Sequence, residues 1–403
     1  MWKKNFQIRS VILAAQILLL GCAKDGRSFS LLADSNAFTQ EKTISNKLDV
    51  IWVIDGSGTM ANHQANLAAN FNKFISQFGA KGFDYQMVIA STDSWLREVN
   101  YNGGACSSNP NPTNDPNKPY VSSADCYPTL TTFGAMTEFR DGDIYGSKTG
   151  VPGIRSGNYL ISSGMNPENI LSTFAINVAV GTRGDGSRES AFQSLRGALR
   201  LNENAESAFP GENHTVLSSF RRPDAFLAVI IVTDEDDQSR KSDGSAYASN
   251  EEYSSQFVHF LDQYTTSTEG NRRYNISGIV VDDINNCSYG LHSQARQGDR
   301  YVSVANATRG IVGNICSPDF SDQLTGISER IVTLATRFRL TREPVPSTIK
   351  IRVNGELIPE GDVNGWTYLR ETDEFQYIEF HGDAVPAEGA RINVDFDPVK
   401  AKN

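Results

Sequence analysis

The sequence predicts a doubly wound α/β fold with a mostly parallel sheet, followed by a small antiparallel β domain. Three observations predict it. Unbroken apolar runs at 50–54 and 225–232 are short and bounded by turn residues, as strands buried on both faces are. Stretches of helical period alternate with those runs, the arrangement that builds parallel sheets covered by helices. Beyond Arg342 the pattern switches to period two.

The elements follow in order. Lys3, Lys4 and Arg9 precede a largely apolar run at 11–20, too short to span a bilayer and placed where a secretory signal stands. Leu19-Leu20-Gly21-Cys22 resembles the lipobox of bacterial lipoproteins. The resemblance implies that residues 1–21 are cleaved, that Cys22 is lipidated, and, with Ala23 rather than Asp next, that the outer membrane is the destination. Residues 22–46 are polar and Ser-rich and read as a flexible tether. The α/β domain is expected over 47–342. It begins with the strand at 50–54, a helix carrying Leu67, Phe71, Phe74, Ile75 and Phe78, and a strand near 85–90.

Residues 95–161 are crowded with Gly, Asn, Pro and Ser and read as a long insertion. Phe192, Leu195 and Leu199 mark the next helix, 225–232 a second buried strand, and Tyr253, Phe257, Phe260 and Leu261 another helix. A strand at 276–281 and a last long helix carrying Leu324, Ile327, Ile331 and Leu334 complete the domain. The stretch 282–319 between them reads as loop-rich. The β domain, 343–403, has alternating runs and two Asn-Gly turn signals, Asn354-Gly355 and Asn364-Gly365. A module that small has a marginal core and is expected to lean on the α/β domain.

Apart from Cys22, four cysteines remain: Cys106, Cys126, Cys287 and Cys316. An even number in an exported chain reads as two disulfides, with three possible connectivities. The sequence-local pairs, Cys106 with Cys126 and Cys287 with Cys316, are preferred because each lies inside one irregular segment.

Chemistry concentrates at the end of the first buried strand, in Asp55-Gly56-Ser57-Gly58-Thr59-Met60. In open α/β sheets ligands bind beyond the strand carboxyl ends, where a carboxylate and two hydroxyls can converge. The stretch resembles the Asp-x-Ser-x-Ser motif of the von Willebrand factor type A domain family, with Thr59 in place of the last serine. The resemblance covers about 47–340 and implies a metal-ion-dependent adhesion site holding a divalent cation. It further implies a threonine on a loop before a helix, for which Thr182 in Gly181-Thr182-Arg183-Gly184-Asp185-Gly186-Ser187 fits best and Ser187 competes. It also implies an aspartate ending a later strand, and Asp234 supplies it.

Magnesium is the expected ion, with calcium or manganese as alternatives, since hard cations take oxygen ligands and keep several waters. An open coordination position would admit a carboxylate from a protein or glycan partner. Read singly, Ser57 or Thr59 is also a helix cap, Ser187 a cap of the next helix, and Asp234 part of a surface turn. Asp236 and Asp237 follow in the run Asp234-Glu235-Asp236-Asp237, which reads first as a solvated acidic loop and second as outer support for the ion. Arg183-Gly184-Asp185 spells an integrin-recognised tripeptide, a pattern that recurs by chance.

Composition narrows the function classes. Lys and Arg number 37 against 47 Asp and Glu, a net charge of −10, which disfavours nucleic-acid binding. There is no zinc-protease motif, nucleophile elbow or phosphate loop, and His63, His214, His259, His292 and His381 are scattered, so no enzyme is expected. The leading expectation is a lipid-anchored, metal-dependent binding or adhesion protein of the bacterial cell envelope. The alternative is a structural or assembly lipoprotein in which the ion only stabilises the domain.

Overall fold

A computed structural model describes residues 38–43, 45–92, 160–180, 189–199, 220–241, 245–268, 270–287, 295–387 and 389–399. The signal, Cys22, Cys106, Cys126, Thr182, Ser187, Arg183-Gly184-Asp185 and the body of the 95–161 insertion lie outside the described residues. Among the described residues no helix is long and apolar enough to cross a membrane.

The central sheet has six strands: β2 (Lys47–Ile54), β3 (Asp84–Ser91), β4 (Ile161–Ser162), β5 (Phe226–Val232), β6 (Tyr274–Val280) and β7 (Val312–Asn314). Their order is β4-β3-β2-β5-β6-β7, all parallel except the short edge strand β4. Every residue of β5 and β6, and all but the first of β2, is buried. That is why these strands read as apolar runs rather than alternating ones.

Helices cover both faces. Trp52 of β2 packs edge-on against Phe74 of α1 (Ala61–Ala80) at 4.9 Å and Phe174 of α2 (Pro167–Val178) at 5.3 Å. On the other face Phe192 of α3 (Ala191–Leu199) meets Tyr253 and Phe257 of α4 (Asn250–Tyr264). Two further helices, α5 (Asp299–Ala307) and α6 (Ser321–Thr336), pack on α4 and α1 respectively.

The stretch 282–319, expected to be loop-rich, therefore holds a helix and a strand. Flanking Gly298 and Gly310 masked it, and its buried face has only Tyr301, Val304 and Ala305. Cys287 and Cys316 are paired, their Cα atoms 5.2 Å apart, and tie the loop after β6 to the end of β7.

The antiparallel domain is larger than the sequence suggested and is built from both sides of the α/β domain. One sheet has the order β1-β13-β9-β10 and the other β11-β12-β8. The strands are β1 (Phe38–Thr43), β8 (Phe338–Leu340), β9 (Lys350–Val353), β10 (Glu356–Ile358), β11 (Gly365–Arg370), β12 (Gln376–His381) and β13 (Arg391–Phe396). Residues 38–43, expected in the tether, pair in full antiparallel register with β13, and the Phe38 ring meets Phe396 at 5.3 Å. Phe38-Thr39-Gln40-Glu41-Lys42-Thr43 carries little apolar signal, because β13 supplies its order. Likewise β8 lies before the expected boundary at 342/343 yet pairs with β12.

The α/β domain is thus inserted between the first strand of the β domain and the rest. The core between the two sheets is formed by Phe338, Ile351, Trp366, Ile378, Phe380, Ile392 and Val394. It leans on the α/β domain through Tyr377 Oη to Gly270 O (2.6 Å) and Lys81 Nζ to Gly382 O (2.6 Å).

Asn354-Gly355 forms the expected tight turn, both residues having positive φ (51° and 91°), which joins β9 to β10. Asn364-Gly365 is not a hairpin turn. Gly365 opens β11 where a Cβ would lie 2.5 Å from Pro359 O, so close backbone approach requires the glycine.

At the amino end of β2, the fully buried Asp49 is clamped by Arg222 Nε (2.8 Å), Arg221 Nη1 (3.0 Å) and Arg222 N (2.7 Å). Removing one partner of a buried pair strands the others. Asp49→Ala is expected to cost roughly 3–5 kcal/mol of stability in urea unfolding. Deleting residues 38–43 exposes the β13 edge, so hydrogen exchange is expected to accelerate across 376–396 while 226–232 stays protected.

Candidate functional site

The strand order reverses direction at β2, with β3 on one side and β5 on the other. The crevice beyond β2 and β5 is therefore the sheet's switch point, where ligands of open α/β folds bind. Asp55 and Asp234 stand there, at 0% and 2% exposure. The pairing of the two strands continues past their ends: Asp55 N donates to Val232 O at 2.9 Å.

Each group in the motif is held by short bonds. Asp55 Oδ1 accepts from Ser57 N at 2.6 Å, and Asp55 Oδ2 accepts from Thr233 Oγ1 at 2.7 Å. The Ser57 and Thr59 hydroxyls are 2.9 Å apart, and Thr59 Oγ1 donates to Asp234 Oδ1 at 3.0 Å. Gln64 Nε2 donates to Asp55 O at 2.8 Å and ties the first turn of α1 to the strand end. Asp55, Ser57, Thr59 and Asp234 therefore form one connected cluster.

The structure also decides against the plainer roles. The N-cap of α1 is Met60, with no side-chain capping bond, so neither Ser57 nor Thr59 caps that helix. Asp234 is buried rather than part of a surface turn.

The electrostatics of the cluster are tense. Burial, and then the charge of Asp234, push the Asp55 carboxyl up to about 7. Asp234 Oδ2 is buried and has no hydrogen-bond partner among the described residues. Two buried carboxylates that repel each other, one with an orphaned oxygen, beside two hydroxyls, make a donor set of hard oxygens suited to Mg²⁺ or a similar cation. Among the described residues no three His, Cys, Asp or Glu side chains converge, so hydroxyls and water would have to supply the remaining ligands.

Asp236 and Asp237 turn away from this cluster. The acidic run is not a solvated loop: Asp237 is 2% exposed, accepts from Ser239 Oγ (3.1 Å) and Tyr301 Oη (3.3 Å), and packs toward α5. Asp236 accepts from Arg300 N at 3.1 Å, and burial pushes its carboxyl up to about 6.

Three contributors escaped the sequence reading. Thr233 precedes the aspartate and donates to Asp55; its hydroxyl within the apolar run was the available signal. Glu189, 1% exposed, accepts from Thr92 Oγ1 at the end of β3 and through its backbone carbonyl from Gln238 N at 2.6 Å. An acidic residue two positions before a buried helix start carries no pattern that separates it from a solvent-facing one. Arg296 donates its backbone N–H to Asp234 O at 2.9 Å. Its segment follows β6 in the chain, so only the fold brings it to the β5 end.

No protein-family profile matches the sequence. A search of curated proteins finds no match. Among solved structures, the chain is similar to proximal thread matrix protein 1 from the mussel byssus (TM-score 0.28, 11% identity, 75% of this chain and 51% of that one). It is also similar to the pilus adhesin RrgA of Streptococcus pneumoniae (0.27, 10%, 91% and 59%) and to the ArnB paralog VWA2 of Sulfolobus acidocaldarius (0.26, 8%, 91% and 62%). This chain spans less than two thirds of the length of each. At these scores none of the three defines its function.

The raised Asp55 value has a sign. A carboxyl whose folded value lies above its unfolded value near 3.9 holds its proton more tightly when folded, so metal-free stability falls as pH rises from about 4 to about 7. Asp55→Asn is expected to raise the melting temperature in chelator at pH 8, by at least the ~2–4 °C that about 1 kcal/mol produces in a domain of this size. The gain should fade toward pH 4. Mg²⁺ should raise the melting temperature of the parent protein and leave that of the variant unmoved.

Proposed function

We propose that this chain is a lipid-anchored binding protein of the bacterial cell envelope that engages an acidic protein or glycan partner through a divalent cation held by Asp55, Ser57, Thr59 and Asp234. The observation that carries this reading is the buried Asp234 Oδ2, without a hydrogen-bond partner among the described residues, in a cluster whose other carboxyl is driven toward its neutral form. A cation relieves both. When bound, it would supply a positive charge with an open position for a partner's carboxylate.

The chain's own residues do the rest. Thr233 and the Ser57 N–H orient the Asp55 carboxylate, and Thr59 bridges to Asp234. The buried strands hold the two acids at a fixed separation. This is the arrangement that the resemblance to von Willebrand factor A domains implies, with Thr182 or Ser187 as the further hydroxyl. The lipobox resemblance at Cys22 supports the anchor and the outer membrane.

A second reading is supported by the β domain. Its two-sheet core and its contacts with the α/β domain also suit a structural or assembly lipoprotein in which the ion only stabilises the crevice.

Affinity capture from an envelope extract, in Mg²⁺ and in chelator, separates the two. The binding reading expects a partner retained only in Mg²⁺ and lost, at least tenfold, in Asp55→Ala. Under the assembly reading the partner stays bound in chelator while the melting temperature falls.

A further inference from the structure

The β domain carries the same reactive tripeptide twice, as Val353-Asn354-Gly355 and as Val363-Asn364-Gly365. Asparagine before glycine can react with itself, because a glycine nitrogen meets little steric resistance in reaching the side-chain carbonyl carbon of the residue before it. Local sequence is matched at the two sites. What differs is how much room the fold leaves each glycine.

Asn354 and Gly355 are exposed at the tip of the β9–β10 hairpin, with φ of 51° and 91°. A Cβ placed on Gly355 would meet no atom within 4 Å, so the turn is open on that side. Asn354 is held against β13: its N–H donates to Arg391 O at 2.8 Å, and its Oδ1 accepts from Arg391 N at 2.9 Å. That donor is aimed at the oxygen that gains negative charge when a nucleophile adds to Cγ, and a bond to a developing oxyanion strengthens along the reaction. It engages Oδ1 and not Nδ2, the atom that must depart.

Asn364-Gly365 presents the same atoms in a closed setting. Gly365 is buried, pairs with His381 across β11 and β12, and would place a Cβ 2.5 Å from Pro359 O. Asn364 Oδ1 accepts from Asp383 N at 2.9 Å, and a Cβ on Gly382 would collide with that same oxygen. Ring closure here would require residues 364–365 to rotate out of the sheet.

From this contrast we infer that Asn354 is a site of spontaneous succinimide modification, which the fold admits at 354–355 and denies at 364–365. The Gly355 nitrogen gives its proton to water and attacks Asn354 Cγ. The N–Cγ bond forms, the Cγ–Nδ2 bond breaks, and Nδ2 leaves as ammonia with a proton from water. Water then opens the cyclic imide on either side. Cleavage at Cγ leaves aspartate; cleavage at the main-chain carbonyl leaves isoaspartate, whose backbone is one carbon longer. Overall one water enters and one ammonia leaves, with no oxidant or reductant.

The two products differ in consequence. Aspartate tolerates positive φ much as asparagine does, and its carboxylate keeps the Arg391 N–H as donor in a cleft that Arg352 and Arg391 help to line. Isoaspartate lengthens a tight hairpin turn, where loop length sets the register, so Glu356 no longer faces Val353 and β10 separates from β9.

The test incubates the full chain at neutral pH, folded and in urea, with peptide mapping by mass spectrometry and an enzymatic isoaspartate assay at intervals. In urea the two sites are expected to convert at comparable rates. In the folded protein Asn354 should convert at least about tenfold faster than Asn364, a barrier difference of about 1.4 kcal/mol. The isoaspartate form should show faster hydrogen exchange across 350–358, whereas Asn354→Asp should not. Equal rates at the two sites in the folded protein overturn the inference, as does an Asn354 that stays intact when folded over the time in which it converts in urea.

Discussion

Two carboxylates buried side by side at the switch point of a parallel sheet are the constraint on which this molecule turns. Asp55 and Asp234 cannot both carry charge in a dry crevice without compensation. The surrounding polar atoms supply part of it: a backbone N–H and a threonine hydroxyl on Asp55, and a second threonine hydroxyl on Asp234. Among the described residues one oxygen, Asp234 Oδ2, is left over. An acceptor unpaired among the described residues is what the proposed cation would satisfy, because a satisfied buried network leaves no acceptor unpaired.

The rest of the α/β domain can be understood as what holds those acids at a fixed separation. β2 and β5 run parallel in continuous register up to Ile54 and Val232, and the pairing carries on to Asp55. Trp52 locks β2 to α1 and α2, and Gln64 ties the start of α1 to the Asp55 carbonyl. At the opposite end of β2 the Asp49 clamp secures the strand. Because β1 precedes β2 by only a few residues, a single stretch of chain runs from the β domain to the crevice. The inserted topology joins the two parts twice, through β2 and through the passage from α6 to β8. A connection of that kind restricts their relative motion more than one linker would.

Along the rim the charge is divided. Asp55 and Asp234 concentrate negative charge over β2 and β5, whereas Arg240, Arg296 and Arg300 gather beyond β5. The Cys287–Cys316 link closes the same rim, since both residues follow the carboxyl ends of parallel strands. The acidic run that starts at Asp234 is therefore not one feature. Its first residue faces the oxygen cluster, and Asp236 and Asp237 brace the arginine side.

Sequence alone determined what depends on local period and composition. The buried strands at 50–54 and 225–232 are legible because a strand covered on both faces must be apolar at every position. The helices carrying Phe71, Phe192, Phe257 and Ile327 are legible from their spacing, and Asp55, Ser57 and Thr59 because they follow a strand and open a helix. Tertiary structure decided what depends on a partner distant in the chain. β1 becomes a strand because β13 offers it an edge, and β8 leaves the α/β domain because β12 does the same. Helix α5, with three buried side chains, packs on α4 and β6, far apart in the chain from its own segment. Glu189, Thr233 and Arg296 carry no motif. Whether a carboxylate, hydroxyl or guanidinium faces solvent or a crevice is set by what the fold stacks beside it, and no local pattern records that.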